Sequence, residues 1–250
     1  IYDNQQYKVK GEFTEGLKDG KWTYWAKNGI KKTEETYRLG NIQTKTIFSS
    51  KHYKKIEKIT YSGSSETLKT TWDYHPNGQL SEEKNFKNGM LHGRASSWYE
   101  NGQLYYEFNY KNGLEDGLYF AHFKNGGLME KADYVIGKLN GGKSIWNESG
   151  QIEGDYKFIN DEHVSSTIYK YHSNGQLKEV YETEEDDLFE WPKEKRQGEY
   201  LSWFENGQKK SVMNFKDNEV HGKATEWYEN GQIRQVSNYR DGLWPGKAFC

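Results

Sequence analysis

Three sets of residues in this chain are of the kinds that could do chemistry. Two histidines, His92 and His221, each stand directly before a glycine, and imidazole is a common general base and metal ligand. Asp19, Asp116 and Asn140 hold the same place in other copies of the phrase. Exchange among small polar turn formers marks a turn position, so no metal or catalytic role is expected there. The second set is an acidic stretch over 183–192, in which Glu184, Glu185, Asp186 and Asp187 precede Phe189 and Trp191. Carboxylates beside aromatic anchors suit the capture of a basic protein surface. The third set is the rings, 20 Tyr, 9 Trp and 11 Phe, which can stack on each other, on cations or on sugars. Cys250 is alone, so it forms no intrachain disulfide and no metal cluster. No GxSxG elbow, HExxH pair or phosphate loop is present. The polar residues that stand out recur from copy to copy, which marks them as structural. The expectation is a binding protein with no catalysis, no cofactor and no metal.

The elements that position these residues are legible from an Asn-Gly step. It recurs about every twenty-four residues, at Asn28, Asn77, Asn101, Asn125, Asn174, Asn206 and Asn230, with Ser149-Gly150 in register. Asn-Gly between alternating residues signals a tight hairpin in which both tip residues take positive φ. A hairpin repeated at constant period signals a modular array. Three positions before the tip lies a ring column: Trp25, Tyr74, Trp98, His122, Trp146, Tyr171, Trp203 and Trp227. Nine positions after it lies another, with Tyr37, Phe86, Tyr110, Tyr134, Phe158, Phe215 and Tyr239. The alternation of Leu104, Tyr106, Phe108 and Tyr110 predicts a half-buried strand, with Glu34, Glu83 and Glu107 on a wet opposite face. A second turn, opened by Gly16, Gly89, Gly113 and Gly137, closes on Gly20, Gly93, Gly117, Gly141, Gly198 and Gly222.

Composition agrees with a thin, ring-covered sheet. Only 33% of the chain is hydrophobic and 29% is charged, too little aliphatic matter for a thick core, yet the rings bury enough area to offset ordering entropy. The net charge of −2 is made of interspersed signs, which speaks against a nucleic-acid partner and against anionic lipid. No apolar run approaches the roughly 18 residues of a transmembrane span. The chain begins at Ile1 and shows no leader, so the compartment stays open between the bacterial cytoplasm and export after cleavage. The predicted fold is all-β: an elongated array of tandem antiparallel β-hairpins, a single domain over 1–250 of about nine repeats, with a worn copy near 41–64 and an acidic loop insertion over 183–196. At about 10 Å per two-stranded unit, nine units make a twisted ribbon on the order of 80 to 90 Å long. Trp244-Pro245 is expected to blunt the last edge.

The phrases Phe86-Lys-Asn-Gly89-Met-Leu-His92-Gly93-Arg and Phe215-Lys-Asp-Asn-Glu-Val-His221-Gly222-Lys resemble the MORN repeat. With the Trp-Tyr-Glu-Asn-Gly-Gln-Leu tip, the chain resembles the MORN variant of bacterial YwqK-family antitoxins, over roughly residues 11 to 247. The resemblance implies an antitoxin or immunity role, neutralising a toxin by direct binding. The residues themselves allow a protein-binding scaffold, a glycan or cell-wall module, or a structural, membrane-proximal scaffold. Bare strand edges invite a homodimer. The structural residues of the array are Trp25, Trp98, Trp146, Trp203, Trp227, Tyr110, Tyr134, Tyr239, Gly93, Gly117 and Gly222; loss of one ring, as in Trp98→Ala, is expected to cost ~3 kcal/mol or more.

Overall fold

The computed structural model describes residues 1–51, 54–184, 195–240 and 242–243. Among these there are 21 strands and no helix. The chain falls into two compact units, Ile1–Gly127 and Leu128–Cys250. The first holds β1 (Val9–Thr14), β2 (Leu17–Trp25), β3 (Lys31–Arg38), β4 (Asn41–Phe48), β5 (Lys55–Ser62), β6 (Ser65–Tyr74), β7 (Leu80–Lys87), β8 (Met90–Trp98), β9 (Leu104–Lys111), β10 (Leu114–Glu115) and β11 (Gly117–His122). The second holds β12 (Leu128–Val135), β13 (Lys138–Trp146), β14 (Ile152–Ile159), β15 (Glu162–Tyr171), β16 (Leu177–Glu184), β17 (Lys195–Trp203), β18 (Lys209–Lys216), β19 (Glu219–Val220), β20 (Gly222–Trp227) and β21 (Ile233–Tyr239). Within each unit strands pair antiparallel with their neighbours in the chain. The hairpin array read from the repeat is therefore present in both units.

The two kinds of turn differ from expectation. At the tips only the glycine takes positive φ, as at Gly102 (φ 84) and Gly207 (φ 79), while the asparagines do not. The Tyr99 carbonyl accepts from Gly102 N–H at 2.9 Å, and Tyr99 N–H donates to Gln103 at 2.9 Å. This is a three-residue loop, Glu100-Asn101-Gly102, with glycine at its left-handed corner. The two-residue turn with both φ positive sits instead at the other end of the hairpins, at Asn88-Gly89 (50, 80), Asn112-Gly113 (52, 89) and even Asn160-Asp161 (52, 74). Gly93 is likewise not in a loop. It lies within β8 at φ 81, where β8 carries three residues opposite Asn85 alone. Asn85 Nδ2 fills that bulge by donating to the Arg94 carbonyl at 2.8 Å. Asn109 does the same to Leu118 at 3.0 Å. Glycine is required at Gly141, where a Cβ would stand 2.9 Å from that of Asp133.

The repeat also starts earlier than its Asn-Gly signal. Asn4 caps a tip in which Gln5 takes the glycine place at φ 65. Asn4 Nδ2 donates to the Lys27 carbonyl at 2.7 Å, as Asn77 does to Glu100 and Asn101 to Lys124. Asn77, Asn101, Asn174 and Asn206 thus each do two jobs: the Oδ1 accepts from the residue two ahead, and the Nδ2 stitches the tip to the next one.

The two faces of the sheet divide the rings differently from the sequence reading. Register pairs Gly93 with Tyr110, Ala95 with Phe108 and Ser97 with Tyr106, so these share one face. Alternation puts Trp98 on the other face, with Ser96 and Glu107. The column three before the tip and the column nine after it therefore lie on opposite faces, and Trp25, Trp98, Trp146, Trp203 and Trp227 are all half-buried. The most fully covered apolar residues are small, Ala121 and Ala132 at 0% exposure and Ala95 and Ala224 at 5%, followed by Trp22 and Tyr181. They lie on the Tyr110 face, where rings from adjoining strands close over them, as Phe108 and Tyr119 do, stacked at 4.2 Å. On the opposite face Glu34 takes both Lys21 and Lys31, at 2.7 and 2.6 Å, and Trp72 Nε1 donates to Glu83 at 2.7 Å.

Candidate interaction surface

The regular polar residues are occupied in holding strands together. His92 Nδ1 faces the N–H of Asn112 at 3.5 Å, and His75 and His172 bond the carbonyls of Trp98 and Trp203 at 2.7 and 3.0 Å. Among the described residues no three His, Cys, Asp or Glu side chains gather where they could hold a metal. No helix there is long and apolar enough to cross a membrane. One departure from the regular pattern lies in the second unit, around β16 and β17.

Glu184 and Lys195 are register partners that close these strands, next to Thr183 and Arg196. The span 185–194 joins them at the end of the hairpin where other copies carry two-residue turns. The insertion is thus narrower than the 183–196 expected, since both flanks are strand. Thr183 is 1% exposed and its Oγ1 has no hydrogen-bond partner. Of the residues expected to bind a partner, Glu184 is an exposed strand residue; Glu185, Asp186, Asp187, Phe189 and Trp191 lie outside the described residues, as do Trp244, Pro245 and Cys250.

Arg196 is the residue the sequence reading missed. Its guanidinium lies 5.0, 5.5 and 5.4 Å from the ring centres of Tyr181, Tyr200 and Phe215. Its backbone is pinned by Asn218, whose Oδ1 accepts from Arg196 N–H at 2.8 Å. Beside it opens a groove lined by Lys178, Tyr200, Trp203, Lys210 and Phe215. Burial first, and then the Glu179 charge, pushes the Tyr200 phenol up, with Ser202 and Arg196 pulling the other way. The Lys195 ammonium, 2.6 Å from Asp217, holds that carboxyl below its ordinary range. The signal available in the sequence was the register: Arg196 stands two before Gly198, where Leu91, Leu139 and Val220 stand in other copies.

A second hollow in this unit is lined by Phe204, Trp227, Tyr228, Asn230 and Arg234, with Tyr228 52% exposed. Arg234 is held 3.6 Å from Glu226.

Four stretches of the chain match the family described as MORN repeat variant: residues 73–88, 91–112, 196–217 and 220–241. Two fall in each unit. No curated protein matches the chain. Among solved structures, one described as TcdB2-TccC3 is similar at 11% identity with a TM-score of 0.27, covering 92% of this chain and 17% of its own length. A porin-like protein from Bacteroides uniformis is similar at 8% identity with a TM-score of 0.22, covering 96% of this chain and 92% of that one. Likenesses this weak carry no argument.

Proposed function

Taking a MORN-repeat protein with a binding role as the premise, we propose that this chain is a non-catalytic protein-binding scaffold of the immunity type, which neutralises a bacterial toxin by direct contact. One observation carries the reading. The insertion 185–194 replaces a two-residue turn at the end of β16 and β17, beside the Arg196 ring cluster. In repeat arrays, insertions of this kind become loops on one face and serve recognition. The strands on either side of it are paired through Glu184 and Lys195, and the residues between them are acidic and carry two large rings. Its carboxylates suit a basic groove on the partner, and Phe189 and Trp191 suit apolar pockets within it.

The test is capture of a partner from the source cells by the immobilised chain, then simultaneous charge reversal of Glu184, Glu185, Asp186 and Asp187. Capture should weaken most at low salt; capture that is indifferent to the reversal rejects the loop. Co-expression separates the finer claim from the coarser one. Relief of growth arrest by the captured partner supports toxin neutralisation, while a partner that arrests nothing leaves a scaffold without an immunity role.

The hollow at Phe204, Trp227 and Tyr228 favours a second reading, a glycan site, because an exposed ring beside Asn230 and Arg234 can stack and hydrogen-bond a sugar. Tryptophan fluorescence titrated with cell-wall saccharides reads it directly. A flat titration removes it.

A further inference from the structure

Asn-Gly occurs ten times in the chain, and the step at Asn88 lacks a restraint that the others have. At the seven tips the glycine N–H donates to the carbonyl three residues back, as Gly78 does to His75 at 2.8 Å and Gly175 to His172 at 2.9 Å. Gly113, in a two-residue turn, donates to the Leu91 carbonyl of the preceding hairpin at 2.8 Å. Gly141 lies within β13, paired with Phe158. At Asn88-Gly89 none of this holds. Among the described residues the Gly89 N–H has no acceptor, and the Asn88 side chain makes no hydrogen bond. The worn copy is the cause. Leu91 reaches Gly113 because β8 carries three residues opposite Asn85. In the worn copy β6 carries only Thr67 as an extra residue against β5. The carbonyl delivered to the next turn is therefore that of Thr67, which takes the N–H of Asn88 at 3.0 Å and leaves that of Gly89. Asn88 and Gly89 are both exposed, and a Cβ on Gly89 would meet nothing within 4 Å.

We propose that Asn88 is the site of spontaneous deamidation in this chain, converting to aspartate and isoaspartate with water as the only co-reactant. Asn88 and Gly89 take φ of 50 and 80, a type I′ turn. Turning the peptide plane between them gives type II′, whose first central residue has ψ of about −120°. That rotation swings the Gly89 nitrogen towards the Asn88 Cγ. Both turn types fit the twist of a hairpin, so the pairing of Lys87 with Met90 survives the flip. At Gly113 the same flip breaks the bond to Leu91, and at the tips it breaks the bond that closes the loop. The chemistry then runs in two stages. Hydroxide takes the Gly89 N–H proton and the nitrogen bonds to Cγ. The Cγ–Nδ2 bond breaks, and Nδ2 leaves as ammonia with a proton from water, which restores the hydroxide. Water opens the resulting five-membered imide at either carbonyl. Opening at Cγ leaves aspartate. Opening at the main-chain carbonyl leaves isoaspartate, whose chain runs through the side chain and is one methylene longer. Glycine permits the ring because it has no Cβ to obstruct the close approach of its backbone. Either product adds a negative charge, and the longer one no longer fits a two-residue turn between β7 and β8.

Incubation of the folded chain in mildly alkaline buffer, followed by acid digestion and peptide mapping by mass spectrometry, tests this. Asn88 and Asn112 both follow lysine and precede glycine, so their intrinsic chemistry is matched. The peptide carrying Asn88 should show amide-to-acid conversion first, about fivefold faster than the peptide carrying Asn112, the factor set by one net hydrogen bond. Buffer made with heavy-oxygen water should place its label at residue 88, as both aspartate and isoaspartate. The same incubation in denaturing urea should level the two rates, because the restraint on Gly113 belongs to the fold. Conversion at Asn112 or at any tip as fast as at Asn88 in the folded chain, a preference for Asn88 that persists in urea, or no conversion at Asn88 overturns the proposal.

Discussion

Lys18 and Arg196 occupy the same place in two copies of the repeat, two residues before Gly20 and Gly198, and they solve the same packing problem with different neighbours. In the first unit Lys18 Nζ sits 4.5 and 4.7 Å from the ring centres of Trp22 and Tyr37 and donates to the Tyr24 hydroxyl at 2.7 Å. There the adjoining strand offers Gly11, so the large Trp22 settles onto bare backbone and is 6% exposed, leaving its Nε1 without a partner. In the second unit Tyr181 takes the Gly11 place and Tyr200 the Trp22 place; the two are register partners with ring centres 6.4 Å apart. These two copies keep a cation against the rings, not residue type. Arg196 meets three rings at nearly equal distance, as a flat guanidinium can, whereas Lys18 acts as a point charge with a hydrogen bond.

The comparison is broken most severely through Trp22. Trp22→Ala should lower stability by about 3–5 kcal/mol, read as a fall in urea midpoint; a cost near that of a surface change would mean the ring is not what fills the first cluster. Trp98 is the weaker test, being half-buried on the other face. Gly11→Ala should cost about 1–3 kcal/mol by driving a methyl into the indole, and that penalty should vanish in a Trp22→Ala background, the signature of direct coupling in a double-mutant cycle. Arg196→Met keeps length and removes charge, with an expected loss of about 1 kcal/mol in thermal or urea unfolding. Near the same scale but of opposite sign, Ile136→Asn should stabilise by about 1 kcal/mol. Ile136 is a β-branched residue at φ 50, 69% exposed, in a turn where asparagine is at ease.

The smallest effect at neutral pH is alkaline. Burial, followed by the hydrogen bond and charge of Glu35, pushes the Tyr24 phenol from 10.0 to about 12. Burial and Glu115 do the same to Tyr110. A raised folded-state value favours the neutral phenol, so this contribution is whole below pH 10.0 and is lost as pH climbs toward about 12. Melting temperature should fall across that window, and Tyr24→Phe should flatten part of the fall.

Much of the fold was legible because the repeat states it many times over. One Asn-Gly could mark any hairpin; a series in register, with a ring nine residues later, specifies strands, turns and their order. Less of the site was legible. The turn types were exchanged because Asn-Gly is compatible with both a two-residue loop and a three-residue loop, and the choice goes with the bonds that Asn101 makes to its own loop and to the next tip. The bulge-filling role of Asn85 and Asn109 was hidden because their partners are backbone groups nine residues away. Trp98 and Tyr110 looked like one ring face because both recur, whereas only register tells which side of a pleat a column occupies.

The sequence by itself determined that this chain is a ladder of like hairpins, since the period of turn formers and rings is local information. Tertiary structure decided what each ring and charge does within the ladder: that Ala121 and Ala132 are fully covered, and that Arg196 and Lys18 lie against rings. The reason is that burial in a thin sheet comes from adjoining strands about twenty residues away, and small side chains are covered or exposed according to what those strands place over them.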